Sequence, residues 1–345
     1  MRVGICGYPG SGKSTVFTAL APGGRTDREV AYGNIKVPDD RVDFLASVFK
    51  PKKTTLAEIT FVDVGGGSGQ RAGGAFPPEV LQAMRNADVL VHVVRGFENP
   101  SLTAAADPAR DERMFNDELL LLDLGILEKR AERFKKEAKK GPEVDVNKKC
   151  IDHLEKSEPL RTLALAEEEV KALGPGIQLL SMSPIITLYN LSEEAWADPK
   201  NAALRAPHAA QNSASMAICG SIEAEIGAMA AEEQADFLQG LGIGEPARNE
   251  FVRTAYRLLD LISFLTAGPD ECRAWPLRRG TAARKAAGKV HSDIERGFIR
   301  AEIYRPEDLK QFGTEAALKA QGKIRVEGKD YVMGDGDVVN FRFNV

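Results

Sequence analysis

The stretch Gly7-Tyr8-Pro9-Gly10-Ser11-Gly12-Lys13-Ser14, followed by Thr15, decides the fold of this chain. It comes after the apolar run Met1 to Cys6, which has the pattern of a buried strand, and it opens the helical pattern from Lys13 to Leu20. The spacing is that of the P-loop, G-x-x-x-x-G-K-[ST], in the strand-turn-helix context that this motif needs. The sequence therefore predicts a phosphate-binding loop close to residue 1.

The chemistry of such a loop assigns roles to its residues. Glycines let backbone N–H groups turn inward around phosphate oxygens, and the helix N-terminus adds positive potential. Lys13 can reach the β- and γ-phosphates and is the catalytic candidate, while the Ser14 hydroxyl is placed to bind Mg²⁺. We therefore predict binding and hydrolysis of a nucleoside triphosphate with magnesium. The candidate nucleotide contacts in the loop are Gly7, Tyr8, Pro9, Gly10, Ser11, Gly12, Lys13, Ser14 and Thr15.

Four further apolar runs have the length and composition of buried strands, and helical patterns separate them. Short buried strands that alternate with helices are typical of an α/β fold with a doubly wound, mostly parallel sheet. We therefore predict a P-loop nucleotide-binding (G) domain formed by residues 1–110 and 175–262. The four runs are residues 58–64, 89–94, 185–190 and 215–219.

Residues 111–174 interrupt this alternation, because they contain helical patterns and no strand pattern. A break at Gly141–Pro142 divides them, so we predict an inserted antiparallel helical hairpin. The charged run at residues 128–140 is typical of a solvated helix face, and docking of a protein partner is the alternative. Residues 263–345 contain short strand-like runs and clear turns, which predict a small α+β domain.

Asp63 ends the second strand pattern as part of Asp63-Val64-Gly65-Gly66. A nucleotide switch uses Asp-x-x-Gly at a strand end, where the carboxylate holds Mg²⁺ through water and the glycine N–H senses the γ-phosphate. We therefore predict Ser14 and Asp63 as the metal site and Gly66 as a nucleotide contact. The glycine-rich residues that follow suit a segment ordered by bound triphosphate, and a long linker is the alternative.

The segment Asn190-Leu191-Ser192-Glu193 follows the fourth strand pattern. GTPases carry Asn-Lys-x-Asp here, and the aspartate accepts hydrogen bonds from guanine. Because Glu193 is one methylene longer and Leu191 replaces the lysine, discrimination in favour of guanine is lost, which predicts that ATP is favoured over GTP. The alternative is that Asn190 merely caps the next helix. The predicted base-side contacts are Asn190, Leu191, Glu193, Gly220 and Ser221.

The composition, with 43% hydrophobic and 28% charged residues, is that of a soluble globular chain and excludes extended disorder. Neither a run of about 18 apolar residues nor a signal-peptide pattern is present, so we expect a cytoplasmic protein. The net charge of −4 argues neither for nor against nucleic acid. Scattered cysteines without a C-x-x-C pair predict reduced thiols and no zinc site, and they are Cys6, Cys150, Cys219 and Cys272.

The whole chain resembles the YchF / Obg-like ATPase family, and the matching segments are spread over its full length. They include KTTLAEITFVDVGG, ADVLVHVVRGFENP, FNDELLLLDLGILEKRAERF, ICGSIEAEI, KAAGKVHSDIERGFIRAEI and GKDYVMGDGDVVNFRFNV. The resemblance implies a G domain, an inserted coiled-coil domain and a C-terminal TGS domain of β-grasp-like fold at 263–345. It also implies ribosome binding and hydrolysis of ATP in preference to GTP.

Some positions depart from the family pattern. The family's P-loop usually reads G-x-P-N-V-G-K-S, whereas Gly10 and Ser11 stand here in place of Asn and Val, which puts potassium stimulation in doubt. Gly67 stands after Asp-x-x-Gly, where the family has a hydrophobic residue. The first switch is short and carries Thr26 only roughly where a magnesium-binding threonine belongs. We therefore expect a divergent member whose turnover is slow or depends on a partner.

Positive charge is concentrated between Arg273 and Arg305 in a chain that is acidic overall. Such a local excess is a footprint for phosphate backbones. The TGS-like resemblance implies contact with RNA or the ribosome, so we expect the ribosome or structured RNA as partner, with no DNA and no membrane. The alternative is a solvated surface balanced by acidic neighbours. His92 is predicted to be a core residue and His291 a structural one. The cations are Arg273, Arg278, Arg279, Arg284, Lys285, Lys289, Arg296, Arg300 and Arg305.

Two other functions are compatible with the sequence. A non-catalytic adaptor would bind nucleotide without turnover and dock partners through the helical hairpin, and Gly10, Gly67 and the short first switch favour it. A small-molecule kinase is disfavoured, because no arginine-rich lid lies between the P-loop and the fourth strand pattern.

Overall fold

The computed structural model of the protein describes residues 1–21, 30–64, 76–241 and 243–344. Its contacts divide the chain into two compact units, Met1–Ile35 with Ile59–Leu258, and Lys36–Glu58 with Leu259–Val345. Residues 36–58 thus belong with the C-terminal residues, although the segments on both sides of them belong to the first unit. The boundaries of the three domains given above stay a prediction.

The strands of the described part alternate with helices in the first unit and cluster near the end of the chain. They are β1 (Arg2–Cys6), β2 (Val30–Lys36), β3 (Lys53–Thr55), β4 (Glu58–Val64), β5 (Val89–Gly96), β6 (Ile185–Leu191), β7 (His208–Ala210), β8 (Ser213–Ile218), β9 (Leu261–Thr266), β10 (Glu271–Arg278), β11 (Phe298–Tyr304), β12 (Arg325–Glu327) and β13 (Val338–Phe343).

The helices are mostly short, and one is much longer than the rest. They are α1 (Lys13–Leu20), α2 (Asp40–Phe49), α3 (Pro78–Arg85), α4 (Pro108–Lys136), α5 (Pro142–Leu154), α6 (Glu167–Leu173), α7 (Glu193–Ala197), α8 (Ala202–Arg205), α9 (Gly220–Ala228), α10 (Ala231–Gly240), α11 (Ala247–Leu258), α12 (Ala283–Val290), α13 (Ser292–Arg296), α14 (Pro306–Phe312) and α15 (Glu315–Ala320).

The first unit is built on a sheet with the strand order β2-β4-β1-β5-β6-β8-β7. Neighbouring strands from β4 to β8 pair in parallel, and the edge strand β7 is antiparallel to β8. Strand β1 lies in the interior, with Val3 and Ile5 fully buried. The carboxyl ends of β1, β5 and β6 therefore meet at one edge, where open α/β sheets bind their ligands.

The helical insertion also lies in the first unit. Helix α4 is 29 residues long, and its first half packs Phe115 and Leu119 into the core of the sheet. Its second half packs Leu127 against α5, which buries Cys150 in the same cluster. Helix α5 begins at Pro142, a residue that is well suited to a first helical turn, so the predicted break is where the structure has it.

The described residues of the second unit form a six-stranded sheet with the order β12-β11-β13-β9-β10-β3. Its core packs the aromatic residues Phe264 and Phe341 of the sheet against small residues of α12, such as Ala286. The edge strand β3 pairs in parallel with β10, with Thr54 opposite Cys272. This pairing joins the early segment of the chain to its C-terminal part.

The α/β fold with a mostly parallel sheet is confirmed, as are the strands predicted in the first unit. The sequence patterns missed β2, β3 and β7; the short strands β3 and β7 have largely exposed residues and so lack an apolar signal. The four cysteines are buried, and they are thiols outside any disulfide. Within the described residues, no helix combines the length and hydropathy that a membrane span requires.

Candidate functional site

The P-loop connects β1 to α1 at the carboxyl edge of the sheet. Its turn is closed by a hydrogen bond from the Ser11 N–H to the Tyr8 carbonyl at 3.2 Å. Gly12 has φ +85°, and a Cβ there would collide with the side-chain amide nitrogen of Asn190, so only glycine fits. Helix α1 then begins at Lys13, with its first turn directed at the loop.

Lys13 and the two residues after it lie at the start of α1. The Lys13 Nζ donates to the Tyr8 carbonyl at 3.1 Å, so the ammonium group lies over the loop. Ser14 and Thr15 are exposed in the first turn of the helix. The loop thus presents an ammonium group, hydroxyl groups and a helix N-terminus on one side, which is the chemistry that binds phosphate.

Asn190, at the end of β6, ties the P-loop to the end of β8. Its Nδ2 donates to the Ser11 carbonyl at 3.1 Å, and its Oδ1 accepts from the Gly220 N–H at 3.0 Å. The interpretation of Asn190 as a helix cap is wrong, because Ser192 caps α7 by accepting from the Ala195 N–H. The structure therefore brings the predicted residues of three strand ends together.

A cavity of about 610 Å³ opens beside these residues. Within it the Glu193 carboxylate accepts a hydrogen bond from the Ser221 hydroxyl at 3.0 Å. This contact fixes the carboxylate of Glu193 on the neighbouring segment. The lining residues are Gly12, Thr15, Phe97, Glu98, Asn190, Leu191, Ser192, Glu193, Glu194 and Ser221.

Phe97 and Glu98 line this cavity and were missed by the sequence analysis. They follow directly after β5, and Asn190 lies at the corresponding end of β6. Their position at the carboxyl end of a parallel strand was a signal that could have identified them.

A second cavity, of about 980 Å³, lies on the other side of the P-loop. Its lining includes three residues of the P-loop, Tyr8, Pro9 and Ser11. Helix α4 contributes Asp117, which is exposed, and the apolar Leu122. Burial, and after it the charge of Glu118, raise the pKa of Tyr8, so the phenol stays protonated at neutral pH.

His92 lies on β5 and is fully buried, which confirms it as a core residue. Burial, and after it the charge of Lys13, lower the pKa of His92 to about 3. The ring stacks on Phe115 with a centroid distance of 3.9 Å. A neutral ring enclosed in this way does not act as a proton acceptor at the P-loop. His291 is structural as well, because its Nδ1 accepts from the Asp293 N–H at the start of α13.

The predicted metal site is only partly within the described part of the chain. The backbone of Asp63 is in register with Ile5 of β1, which places residue 63 next to the strand that carries the P-loop. The side chain of Asp63 and the residues Thr26, Gly66 and Gly67 lie outside the described residues. Elsewhere, the described side chains form no cluster of three His, Cys, Asp or Glu ligands.

The basic residues of the C-terminal part are largely paired. Arg279 contacts Asp260 at 2.9 Å, and Lys285 contacts Glu295 at 2.7 Å. Arg273, Arg296, Arg300 and Arg305 also have carboxylate partners. Among the residues that the structure describes, Arg278, Arg284 and Lys289 have no carboxylate within ion-pair distance and are exposed, and Arg284 donates instead to the backbone carbonyl of Glu295 at 3.2 Å. The alternative of balanced surface charge therefore accounts for much of this run.

A mostly parallel α/β sheet with a P-loop after β1, and with the ends of β6 and β8 beside that loop, defines a P-loop nucleotide-binding protein of the GTPase-like class. Residues 2–122 match a family model described as 50S ribosome-binding GTPase. Residues 261–344 match the YchF GTPase C-terminal model, whose description is a protein of unknown function.

Relatives match over the full length of the chain. The chain is 38% identical to the ribosome-binding ATPase YchF of Haemophilus ducreyi, over 100% of this chain and 99% of that protein. It is 37% identical to the ribosome-binding ATPase YchF of Bacillus subtilis, over 100% of both. The solved structure of the Schizosaccharomyces pombe YchF GTPase is similar, with a TM-score of 0.87, 30% identity and coverage of 99% of this chain and 97% of that one. The chain belongs to the YchF family.

Proposed function

We propose that this protein is a magnesium-dependent nucleotide switch that hydrolyses ATP in preference to GTP and works in association with the ribosome. The observation that carries the proposal is the convergence of the P-loop, Asn190 and Ser221 on one cavity. A triphosphate held by the P-loop extends its base toward this cavity. The full-length similarity to proteins named ribosome-binding ATPase supports both the reaction and the partner.

The preference for ATP follows from the chemistry of the base-side cavity. The Glu193 carboxylate is engaged by the Ser221 hydroxyl and is one methylene longer than the aspartate that reads guanine. Leu191 has an apolar side chain at the position where the Asn-Lys-x-Asp motif of GTPases has a lysine. A site without the acceptor fork leaves the guanine donors unpaired, which costs affinity for GTP and not for ATP.

Magnesium suits the donor groups of this site. Mg²⁺ keeps several water ligands and is bound by one or two protein groups plus the phosphates, so a dedicated protein cage is not expected. The Ser14 hydroxyl at the start of α1 and the Asp63 carboxylate would hold it. Bound Mg²⁺ neutralises the charge that develops on the phosphates. Gly66 is proposed as the sensor of the γ-phosphate, and Lys13 as the group that contacts the β- and γ-phosphates.

The partner-binding parts follow from the rest of the chain. We propose residues 111–174 as a coiled-coil insertion that docks a protein, and residues 263–345 as a TGS-like domain that contacts ribosomal RNA. Residues 1–110 and 175–262 are proposed as the G domain. We propose a cytoplasmic protein, in keeping with a ribosome partner.

Binding calorimetry with Mg²⁺ tests the base preference. ATP is expected to bind more tightly than GTP to the wild type, and Glu193→Asp is expected to move the affinity ratio toward GTP by about tenfold, or ~1.4 kcal/mol. Glu194→Asp is the matched control, because it makes the same change at an adjacent carboxylate that lines the same cavity. If both variants shift the ratio equally, base selection by Glu193 is wrong.

A second candidate is an adaptor that binds nucleotide without turnover. The buried His92 favours it, because the ring of this histidine contacts Tyr8 of the P-loop and yet, with its pKa lowered by burial, is a very weak proton acceptor. Phosphate release during prolonged incubation with ATP and ribosomes separates the two functions. Release above that of Lys13→Ala supports hydrolysis, and release equal to that of this variant supports the adaptor.

A further inference from the structure

The segment between β5 and α4, residues 97–107, lies against the P-loop, and we call it the brace loop. The Asn99 Nδ2 donates to the Gly10 carbonyl at 3.3 Å. Gly10 has φ +76°, and a Cβ built there would lie 2.7 Å from Leu102 Cδ1 and 3.1 Å from Asn99 Nδ2. Two side chains of the brace loop therefore cover the backbone of residue 10 directly.

The orientation of Asn99 is fixed by its own loop. Its Oδ1 accepts from the Ser101 N–H at 3.0 Å, which leaves the amide NH₂ to face Gly10. The Leu102 N–H donates to the Asn99 carbonyl at 2.9 Å, which closes a turn between these two residues. Both side chains are thus presented to the P-loop by a hydrogen-bonded turn.

The far end of the brace loop is anchored to the sheet by Arg95. This buried residue of β5 donates from Nη2 to the carbonyls of Ala104 and Ala105, at 2.7 and 2.9 Å. A guanidinium group that bonds two successive carbonyls holds the backbone in one place. The loop is therefore attached at both ends and can support the P-loop as a fixed element.

We propose that Asn99 and Leu102 are positioning residues for nucleotide binding. They hold the residue 10 peptide in its left-handed conformation, so that the backbone N–H groups of the P-loop stay directed at the phosphates. They act through Gly10 and do not touch the nucleotide. This inference rests on the proposed nucleotide binding and adds the residues that keep the loop in its binding conformation.

The first test removes the hydrogen bond. Asn99→Ala is expected to weaken the binding of ADP and of a non-hydrolysable ATP analogue about fivefold, the usual value of one neutral hydrogen bond. Asn99→Asp keeps the acceptor for the Ser101 N–H but cannot donate to Gly10, so it is expected to weaken binding at least as much. The loss is expected in KM, with a smaller change in kcat, because the contact orders the loop before chemistry.

Asn201→Ala is the matched control for this test. Asn201 donates from Nδ2 to the Ala195 carbonyl at 2.9 Å and lines neither of the two cavities described above. Its loss is expected to leave nucleotide affinity unchanged. Equal affinity in wild type, Asn99→Ala and Asn99→Asp would overturn the role of Asn99.

The second test is a rescue that a merely structural role would not produce. Asparagine tolerates the left-handed region better than other side chains, so Gly10→Asn meets Leu102 as its main obstacle. This variant is expected to bind nucleotide at least tenfold more weakly. The double variant Gly10→Asn with Leu102→Ala removes the obstacle and is expected to recover most of that loss.

The outcomes separate this inference from the proposed function. A wild type that binds no nucleotide overturns both. A second outcome concerns Leu102 alone. If the wild type binds nucleotide, and the double variant binds it no more tightly than Gly10→Asn although both variants have the melting temperature of the wild type, only the role of Leu102 is overturned. Melting temperatures measured on the same samples identify a variant that has lost its fold. If a Gly10 variant has done so, the affinity of Asn99→Ala for nucleotide decides whether the brace loop positions the P-loop.

Discussion

Two buried polar residues near the P-loop illustrate opposite uses of a polar side chain. Asn190 satisfies both ends of its amide by joining the Ser11 carbonyl to the Gly220 N–H. Neither ring nitrogen of His92 has a hydrogen-bond partner among the described residues, and the ring packs by stacking on Phe115 and by an edge-on contact with Tyr8. Removing Asn190 would leave two backbone groups unpaired, whereas His92 contributes volume and shape.

The lowered pKa of His92 predicts acid sensitivity. An unfolded histidine has a pKa near 6.5, and the folded value is about 3, so the unfolded state binds a proton first as the pH falls. The stabilising contribution of neutral His92 is therefore fully present above pH 6.5, and it is lost progressively as the pH falls from 6.5 toward 3. Between pH 7 and pH 5 the loss from this residue is about 2 kcal/mol.

His92→Phe is expected to remove that part of the pH dependence, since phenylalanine keeps the stacking and cannot be protonated. Urea unfolding at pH 7 and pH 5 measures it as a smaller fall in the free energy of unfolding. His208→Phe, at an exposed position on β7, is the control and should leave the fall as it is in the wild type. An unchanged fall in His92→Phe would contradict the assignment.

At the scale of elements, helix α4 is attached to the residues before β6 by one carboxylate. Asp123 is fully buried and accepts from the Leu180 N–H at 2.9 Å and from the Ser181 N–H at 2.7 Å. These N–H groups open a short 3₁₀ turn, Leu180–Met182, whose donors have no partner inside the turn. The carboxylate therefore acts as a cap that comes from another helix.

Asp123→Ala is expected to destabilise the protein by about 2–5 kcal/mol, because two buried N–H groups lose their acceptor. Chemical denaturation at pH 7 measures this. Asp117→Ala is the comparison, since Asp117 is exposed on the same helix, and it should change stability by less than about 0.5 kcal/mol. Equal effects of the two substitutions would show that Asp123 is not a cap.

The elements that could be predicted from the sequence are those with local signals. The P-loop, the buried strands and the break at Gly141–Pro142 are all encoded within a few neighbouring residues. The contact of Asn190 with Ser11 joins residues 179 positions apart, and that of Asp123 with Ser181 joins residues 58 apart. Such contacts depend on how the sheet and helices pack, and no local pattern contains that information. The role of the brace loop could not be predicted for the same reason, because it depends on the contacts of Asn99 and Leu102 with Gly10, about 90 positions earlier in the chain.

At the scale of the whole molecule, the C-terminal basic residues fall into paired and unpaired sets. A cation that already has a carboxylate partner must give it up to bind a phosphate, so the unpaired Arg278 and Lys289 are the better candidates for contact with ribosomal RNA. The bulk of the positive run, by contrast, is balanced by acidic neighbours.

The double variant Arg278→Ala with Lys289→Ala is expected to weaken ribosome binding. The slope of the logarithm of affinity against the logarithm of salt concentration is expected to become less steep by about 2. Co-sedimentation with ribosomes over a range of salt concentrations measures both. The control is Arg279→Ala with Lys285→Ala, which removes the same charge from ion-paired positions. A control that loses as much affinity as the test variant would refute the distinction.

The pairing of β3 with β10 also affects when the second unit can fold during synthesis of the chain. The Thr55 hydroxyl donates to the Glu271 carboxylate across 216 positions of the chain. At ~5–20 residues per second, synthesis of that interval takes roughly 10–45 s, during which β3 and α2 have been made and their partner strands have not. The apolar residues Val42 and Leu45 of α2 stay uncovered in that period. The second unit is therefore completed only when nearly the entire chain has left the ribosome, and an interrupted synthesis yields a first unit that carries an unfolded segment.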